Sequence, residues 1–261
     1  MQVKELLRHK YVKRLFIGRF ISNYGNGMGP IALSFGILGL PTGSANLLGL
    51  VLGTTTVLFL IMAPFGGVIA DKYGRARMVG LTDMLAGAIL LVQVAYFATG
   101  NVPVAVLLIV NGSFGILWGI FWPAFSGVIP AVLPEAGWQR GNAINSLVSN
   151  GGIILGAASA GFLVSGFGAT VALGIDAASF IISGVLIFSF RHLSPAAEVT
   201  ENTMIDDLRH GWKVFTSFRW IVIIVMAFSF IVMCWAAAES VLGPIIALEH
   251  FDGPKSWSFV I

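Results

Sequence analysis

Charged side chains are scarce in this sequence of 261 residues: they make up 10% of it, whereas hydrophobic residues make up 57%. Soluble domains usually carry about 25% charged residues. Because so little polar surface cannot coat a water-soluble globule of this size, lipid must solvate most of the outside. We therefore predict an all-α fold, a polytopic membrane helix bundle, since lipid cannot satisfy an open backbone and the alternating pattern of a membrane β-barrel is missing.

Cysteine and catalytic signatures are also nearly absent. Cys234 is the single cysteine, which excludes a disulfide framework and a thiolate metal site within the chain. The sequence contains no HExxH, GxSxG or Walker motif, so we expect neither an enzyme nor an ATP-driven pump. We expect no cofactor, no metal and no nucleic-acid partner. The last long apolar run has no lysine, which excludes a retinal Schiff base.

Long apolar runs are what the sequence does contain. A spanning helix needs about 20 apolar residues, and seven runs satisfy that length, at about 14–39, 46–70, 78–99, 103–128, 143–165, 168–190 and 221–247. We predict four regions: a cytoplasmic tail, a six-helix bundle, a cytoplasmic linker with a short surface helix, and the start of a second helical half, over 1–13, 14–190, 191–219 and 220–261. Because the chain ends at an apolar SWSFVI segment, we expect a truncated product or a fragment.

Lysine and arginine alternate between the two sides of this predicted topology. They are frequent in the tail, after the second run and after the sixth, and absent from the loops near 40–45, 100–102 and 166–168. Because positive loops stay in the cytoplasm, we predict a cytoplasmic N-terminus in a bacterial plasma (inner) membrane.

A charged motif follows the second run. Gly67, Asp71, Gly74, Arg75 and Arg77 lie in the stretch GVIADKYGRAR. Because Gly67 has no side chain, we expect another helix to pack against the end of the second run at this point. This stretch resembles the signature of the major facilitator superfamily, in which Gly-x-x-x-Asp precedes a basic residue, an aromatic, Gly and further basic residues. The resemblance implies a major facilitator fold and a conformational latch that joins two halves and opens during transport. From the residues alone, the charges could instead only set topology.

Other stretches are similar to the siderophore- and macrolide-exporter branch of that family, namely FIGRFISNYGNG, FWPAFSGVIPAVLP, GNAINSLVSNGG and GIDAASFIISG. Gly152, Gly156 and Gly161 resemble the family's antiporter signature and are expected to pack helices closely. Two positions depart from the drug–proton antiporters: Ala157 replaces a proline, and Asn111 replaces an arginine that precedes a glycine by four residues.

Polar residues inside the runs are candidates for function, because ionisable groups at membrane depth usually face a cavity or a partner. Glu239, one turn after Trp235, and Asp176 are candidates for coupling transport to an ion. Alternatively, Asp176 serves helix packing, and Glu239 is satisfied by a helix of the missing half. Arg19 and Asp83 lie near the cytoplasmic ends of their runs. We expect them to reach towards water or to form an ion pair.

The resemblance also implies that the first, fourth and seventh helices line a cavity. Asn23, Asn26, Asn111, Trp118 and Trp235 are the candidates, since amides and aromatic rings suit a bulky amphipathic solute. Alternatively, the asparagines bond neighbouring helices.

Two functions follow from these patterns. The first is a secondary active exporter of a small amphipathic solute of the drug, macrolide or siderophore type, working by alternating access and coupled to protons. Its partners are the lipid bilayer and a small-molecule solute. The alternative is a truncated, non-transporting membrane protein or an accessory subunit. In either case we expect full function to need the missing C-terminal half or a partner.

Overall fold

The structure is a computed structural model that describes residues 6, 10–194 and 204–258. Within these ranges the chain is helical and contains no strand, which confirms the predicted all-α membrane bundle. The helices are, in order, α1 Lys10–Leu38, α2 Ala45–Tyr73, α3 Arg75–Ala98, α4 Val104–Ser126, α5 Val128–Val132, α6 Glu135–Phe167, α7 Ala169–Phe188, a 3₁₀ turn Arg191–Leu193, α8 Met204–Ser217, α9 Arg219–Ala237, a π-helical segment Ala238–Leu242, α10 Gly243–His250 and α11 Pro254–Trp257.

Six helical segments in the described part of the chain are long and apolar enough to cross a bilayer. They are α2, α3, α4, α6, α7 and the continuous stretch Arg219–His250. They correspond to the second to seventh predicted runs. The largest shift in a boundary is in α6, which begins eight residues before the predicted 143, because Pro134 caps the helix and Glu135 occupies its first turn.

The first predicted span forms α1 but is not among those six. It is 29 residues long and carries Arg14, Arg19 and Asn23 besides its apolar residues. The helix tolerates these groups because it packs along α6 and α7 inside the bundle. Its described part begins at Lys10, so the predicted tail over 1–13 falls mostly outside the described residues.

The bundle is built from helix pairs that are mostly not adjacent in sequence. α2 packs on α4, α1 packs on α6 and α7, and α3 packs on α7 and α4. Buried apolar residues form three clusters. One contains Phe35 and Leu48, another contains Phe16 and Phe125, and a smaller third around Phe180 joins α3, α4 and α7.

Two tight connections depend on glycine. Gly74 has φ of 91° between α2 and α3, and Gly168 has φ of 85° between α6 and α7. Residues with a Cβ rarely adopt such angles, so each glycine lets the chain reverse without a longer loop. At Gly74 this reversal brings the end of one helix directly against the start of the next.

The described end of the chain is more loosely attached. α8 lies at the position of the short helix predicted within the linker, while residues 195–203 of that linker lie outside the described ranges. No residue of α9 is buried. The segment beyond it is held at its far end, where α11 packs on α6 and α10 contacts α1.

Candidate functional site

The predicted latch lies in the turn between α2 and α3. The guanidinium Nε of Arg75 donates a hydrogen bond of 2.7 Å to Oδ1 of Asp71. Both side chains remain partly exposed, so the ion pair itself contributes only about 0–1 kcal/mol. Arg77, two residues later in the first turn of α3, is exposed. The turn therefore presents one paired and one exposed arginine at the end of the bundle.

The side chain of Arg75 lies across the end of α4. A methyl group on Gly127 would overlap the guanidinium and Cδ of Arg75. A shallow groove runs past this contact and is lined by Ala70, Asp71, Arg75, Ser126, Gly127, Pro130, Ala131, Leu193 and Ser194. Sequence reasoning missed Gly127. The GVIPAVLP stretch that contains it offered no charged or amide group as a signal.

The close approach of a second helix to α2 occurs at Gly66 rather than at Gly67, the glycine of the motif. Gly67 was expected to let another helix approach α2, but a Cβ there would meet only the Cβ of Pro123, at an ordinary 3.8 Å. The close approach is at Gly66, where a Cβ would overlap the carbonyl oxygen of Gly119 and stand 2.9 Å from the Cα of Ile120. Gly67 instead borders a cleft between α2 and α8, together with Asp71 and Trp212.

A cavity of about 180 Å³ lies inside the bundle, among α1, α2, α3, α4 and α7. It is lined by Asn26, Gly29, Pro30, Leu33, Leu52, Thr55, Leu90, Gln93, Asn111, Phe114, Trp118, Leu173 and Asp176. Four residues predicted from the sequence therefore meet here: Asn26, Asn111, Trp118 and Asp176. The walls are mostly hydrocarbon and aromatic, with the polar groups confined to a few points.

Asp176 is buried, with 5% of its surface exposed. Its carboxylate lies against α1, where a Cβ on Gly25 would be 2.5 Å from Oδ1 and a Cβ on Gly29 would be 2.5 Å from Oδ2. Its Oδ1 has no hydrogen-bond partner, and no ion pair to it occurs in the described part of the chain. Two glycines thus make room for a carboxylate that has no counter-charge among the residues that the structure describes.

An amide pair crosses from α4 to α3 beside the cavity. Nδ2 of Asn111 donates to Oε1 of Gln93 at 2.8 Å and to the carbonyl oxygen of Leu107 at 2.9 Å. Both amide side chains are buried, and Nε2 of Gln93 has no partner among the described residues. Asn111 therefore bonds a neighbouring helix and lines the cavity at once. Gln93 was missed, although a lone amide in the run LLVQVAYF is a signal that could have identified it.

Asn23 and Trp235 are not among the residues that line this cavity. Nδ2 of Asn23 donates to the carbonyl oxygen of Arg19 at 2.7 Å and to Oγ of Ser149 at 3.1 Å, so it joins α1 to α6. The ring of Trp235 is exposed on α9. In this conformation Asn23 faces a helix contact and Trp235 faces outward, so neither lines this cavity with Asn26, and their place in a substrate cavity stays a prediction.

Glu239 lies in the π-helical segment that follows α9. Its Oε2 accepts a hydrogen bond from the indole Nε1 of Trp235 one turn earlier. The neighbouring carbonyl oxygen of Ser240 accepts from Oγ of Ser34 on α1, at 3.5 Å. π-Helical turns are rare in proteins, and those that do occur are often found at functional sites. The structure thus places this carboxylate, half-buried, where the last long helix meets α1.

Arg19 and Asp83 do not reach towards water, which corrects that expectation. Each is only 2% exposed. The guanidinium of Arg19 lies over the rings of Phe125 and Phe121, at 4.3 Å and 5.1 Å from their centroids, while Oδ2 of Asp83 accepts from Oγ of Ser183 at 2.7 Å. Packing between α1, α3, α4 and α7 encloses both groups before they can extend to the membrane surface.

The three glycines predicted to pack helices all lie in α6 and make close contacts. A Cβ on Gly152 would be 2.8 Å from the carbonyl oxygen of Phe20, and one on Gly156 would overlap the carbonyl of Tyr24. Gly161 faces a different neighbour, because a Cβ there would overlap the backbone of Pro254. Glycine therefore allows α6 to approach the backbone of α1 and, further along, of α11.

A family model and several relatives match this chain. The model described as Major Facilitator Superfamily matches residues 15–261. An uncharacterized MFS-type transporter, YkuC of Bacillus subtilis, is 26% identical over 191 residues, 72% of this chain and 43% of that protein. The staphyloferrin A transporter of Staphylococcus aureus is 27% identical over 67% of this chain and 44% of its own length. The quinolone resistance protein NorA of Staphylococcus aureus is 33% identical over 64% of this chain and 42% of its own length.

The chain spans less than half the length of these relatives. Among solved structures, the peptide transporter POT in complex with sulfate matches with a TM-score of 0.56 at 18% identity, covering 95% of this chain and 55% of that one. At this identity the likeness concerns the fold alone.

Proposed function

Because the chain belongs to the Major Facilitator Superfamily, we propose that it forms part of a secondary active transporter that exports a small amphipathic solute. The observation that carries this proposal is the cavity in which Asn26, Asn111, Trp118 and Asp176 meet. Apolar walls with a few convergent polar groups are typical of small-molecule sites. Relatives named for staphyloferrin A transport and quinolone resistance support solute transport.

The transporter is proposed to work by alternating access, with the Asp71–Arg75 turn as its latch. A carboxylate at the membrane boundary can meet a guanidinium or the N-terminus of a helix, and the pair here is partly exposed at 2.7 Å. It is therefore accessible to a further helix. Opening would exchange one set of partners for another, which is how an exposed charge pair can bias two conformations.

Coupling is proposed to use protons, with Glu239 and Asp176 as the exchanging groups. Intramembrane carboxylates are costly and are commonly found in proton relays. Asp176 borders the cavity, and Glu239 lies where α9 continues towards α1. The orientation is proposed to place the N-terminus in the cytoplasm of a bacterial inner membrane. Lys72, Arg75 and Arg77 lie on one side, whereas the loops near 40–45, 100–102 and 166–168 on the other side have no lysine or arginine and Lys255 alone follows the last long helix there.

The test uses everted membrane vesicles from bacteria that express the gene encoding this chain, with ethidium as a fluorescent amphipathic probe. We expect ethidium to accumulate when a proton gradient is present and to be released when a protonophore collapses it. Asp71→Asn should lower the initial rate roughly fivefold or more, as the loss of a conformational coupling does. Accumulation equal to that of empty vesicles would favour a non-transporting membrane protein.

A further inference from the structure

We infer that the cavity beside Asp176 binds the protonated amine of an alkylammonium, with this carboxylate as the counter-charge. The inference rests on the proposed function, because it names the chemical class of solute for the same cavity.

The carboxylate of Asp176 has no ion-pair partner among the described residues. A buried charge without a partner is strongly destabilising, and carboxylates inside membrane bundles normally pair or face a site. Only 5% of the surface of Asp176 is exposed, and its Oδ1 has no hydrogen-bond partner among the described residues. No lysine, arginine or histidine forms an ion pair with it in the described ranges. A cation from outside the chain would therefore find a complementary charge already in place.

Donors and acceptors of hydrogen bonds both line the cavity. The hydroxyl of Thr55 donates to the carbonyl of Val51 at 3.1 Å, and Nδ2 of Asn111 donates both to Gln93 and to a backbone carbonyl, so these two donor groups are already used. Nε2 of Gln93 has no partner among the described residues, and the amide of Asn26 and the indole of Trp118 also line the cavity. Among the lining side chains, the carboxylate of Asp176 is the acceptor that best matches an ammonium group, which only donates hydrogen bonds.

The aromatic wall and the volume of the cavity indicate the kind of solute that it can hold. The rings of Phe114 and Trp118 lie with centroids 5.4 Å apart beside leucine side chains, and both rings line the cavity. Aromatic faces attract alkylammonium groups and their carbon chains. A volume of about 180 Å³ is smaller than most drug-sized sites, which span about 300–1,000 Å³. The cavity therefore fits an amine head with a short alkyl chain, and the rings of a larger amphipathic cation such as ethidium would have to extend beyond it.

A bare metal ion fits these walls less well. Sites for hard cations are built from many oxygen ligands, but Asp176 is the only carboxylate among the lining residues. No group of three histidine, cysteine, aspartate or glutamate side chains that could hold a metal occurs within the described residues. The hydrocarbon walls would leave most of the surface of a metal ion without ligands.

The experiment compares n-butylammonium with n-butanol, its uncharged counterpart, on the purified chain in lipid nanodiscs. Trp118 reports binding through its fluorescence, and Trp118→Phe identifies its share of the signal. We expect n-butylammonium to change the fluorescence in a saturable way. The concentration needed should be at least tenfold lower than the concentration of n-butanol that causes any change. Asp176→Asn should remove this difference. Asp83→Asn, another buried carboxylate that does not line the cavity, should keep it.

Several outcomes would overturn the inference. Equal responses to the amine and the alcohol would do so, as would unchanged ammonium binding in Asp176→Asn. A saturable response to Na⁺ that matches that of n-butylammonium would make this a site for inorganic cations instead. If Asp176→Asn does not fold, the comparison of amine with alcohol on the unmodified chain still decides the question.

Binding and transport can fail separately. Ethidium transport in vesicles without ammonium binding would contradict this inference and leave the proposed function standing. Ammonium binding without proton-dependent transport would contradict the proposed function and leave the cation site standing.

Discussion

Gly66 in α2 and Gly119 in α4 bring their helices so close that a Cβ on Gly66 would overlap the carbonyl oxygen of Gly119. The next residue, Gly67, would hold a Cβ at an ordinary 3.8 Å from Pro123. Two adjacent glycines in one helix thus differ sharply in what a methyl group would meet. Backbone atoms cannot move aside as a flexible side chain can, so the contact at Gly66 fixes the distance between α2 and α4.

Gly66→Ala should therefore destabilise the bundle, by about 1–3 kcal/mol, as overpacking of a close contact does. Gly67→Ala is the matched control, because alanine raises helix propensity equally at both positions and the new methyl meets no close atom. The measurement is unfolding of the purified protein in mixed micelles by increasing SDS, followed by circular dichroism. Equal stability of the two variants would contradict the contact at Gly66.

Gly127 is predicted to act through the ion pair of the motif. Alanine there would displace the side chain of Arg75, which is flexible and partly exposed, so we expect a change in stability below about 1 kcal/mol. The displaced guanidinium would leave Asp71 without its 2.7 Å partner. We therefore expect Gly127→Ala to alter ethidium transport in vesicles by about as much as Arg75→Ala does.

A double-mutant comparison tests this route. If Gly127 acts only by leaving room for the side chain of Arg75, then Gly127→Ala should cause no further change in the transport rate when Arg75 is already alanine. Gly53→Ala serves as the control, because a Cβ at Gly53 would meet nothing within 4 Å. Additive effects of the two substitutions would show that Gly127 matters for another reason.

The amide pair between α3 and α4 should also be measurable. Asn111→Leu removes the 2.8 Å bond to Gln93 and leaves a buried amide oxygen unsatisfied, which typically costs about 1–3 kcal/mol. A cycle of Asn111→Leu, Gln93→Leu and the double variant should give a coupling of about 0.6 kcal/mol, and at most about 1.7, as polar contacts between membrane helices do. A coupling of zero in SDS unfolding would mean that the two amides do not interact.

The helices themselves were predictable, because lipid allows little besides long apolar helices and each run leaves a direct trace in the sequence. Asn26, Asn111, Trp118 and Asp176 were identified as unusual residues in those runs, and the structure brings them to one cavity. That Gly66 rather than Gly67 makes the close contact was not predictable, since it depends on the rotation of α2 against α4. Trp235 was assigned to the same lining from the family's arrangement, yet it is exposed here, on a helix with no buried residue.

The orientation can be tested with cysteine labelling, because replacing the single Cys234 by serine gives a cysteine-free background. Arg77 and Asn101 are both exposed and lie at opposite ends of α3. Since cytoplasmic loops carry the Lys and Arg residues, Arg77→Cys should resist a membrane-impermeant maleimide in intact spheroplasts and react after permeabilisation. Asn101→Cys should react in both conditions, which shows that the reagent is active. Labelling of Arg77→Cys in intact spheroplasts would place the Asp71–Arg75 turn outside, where a latch on the cytoplasmic side could not form.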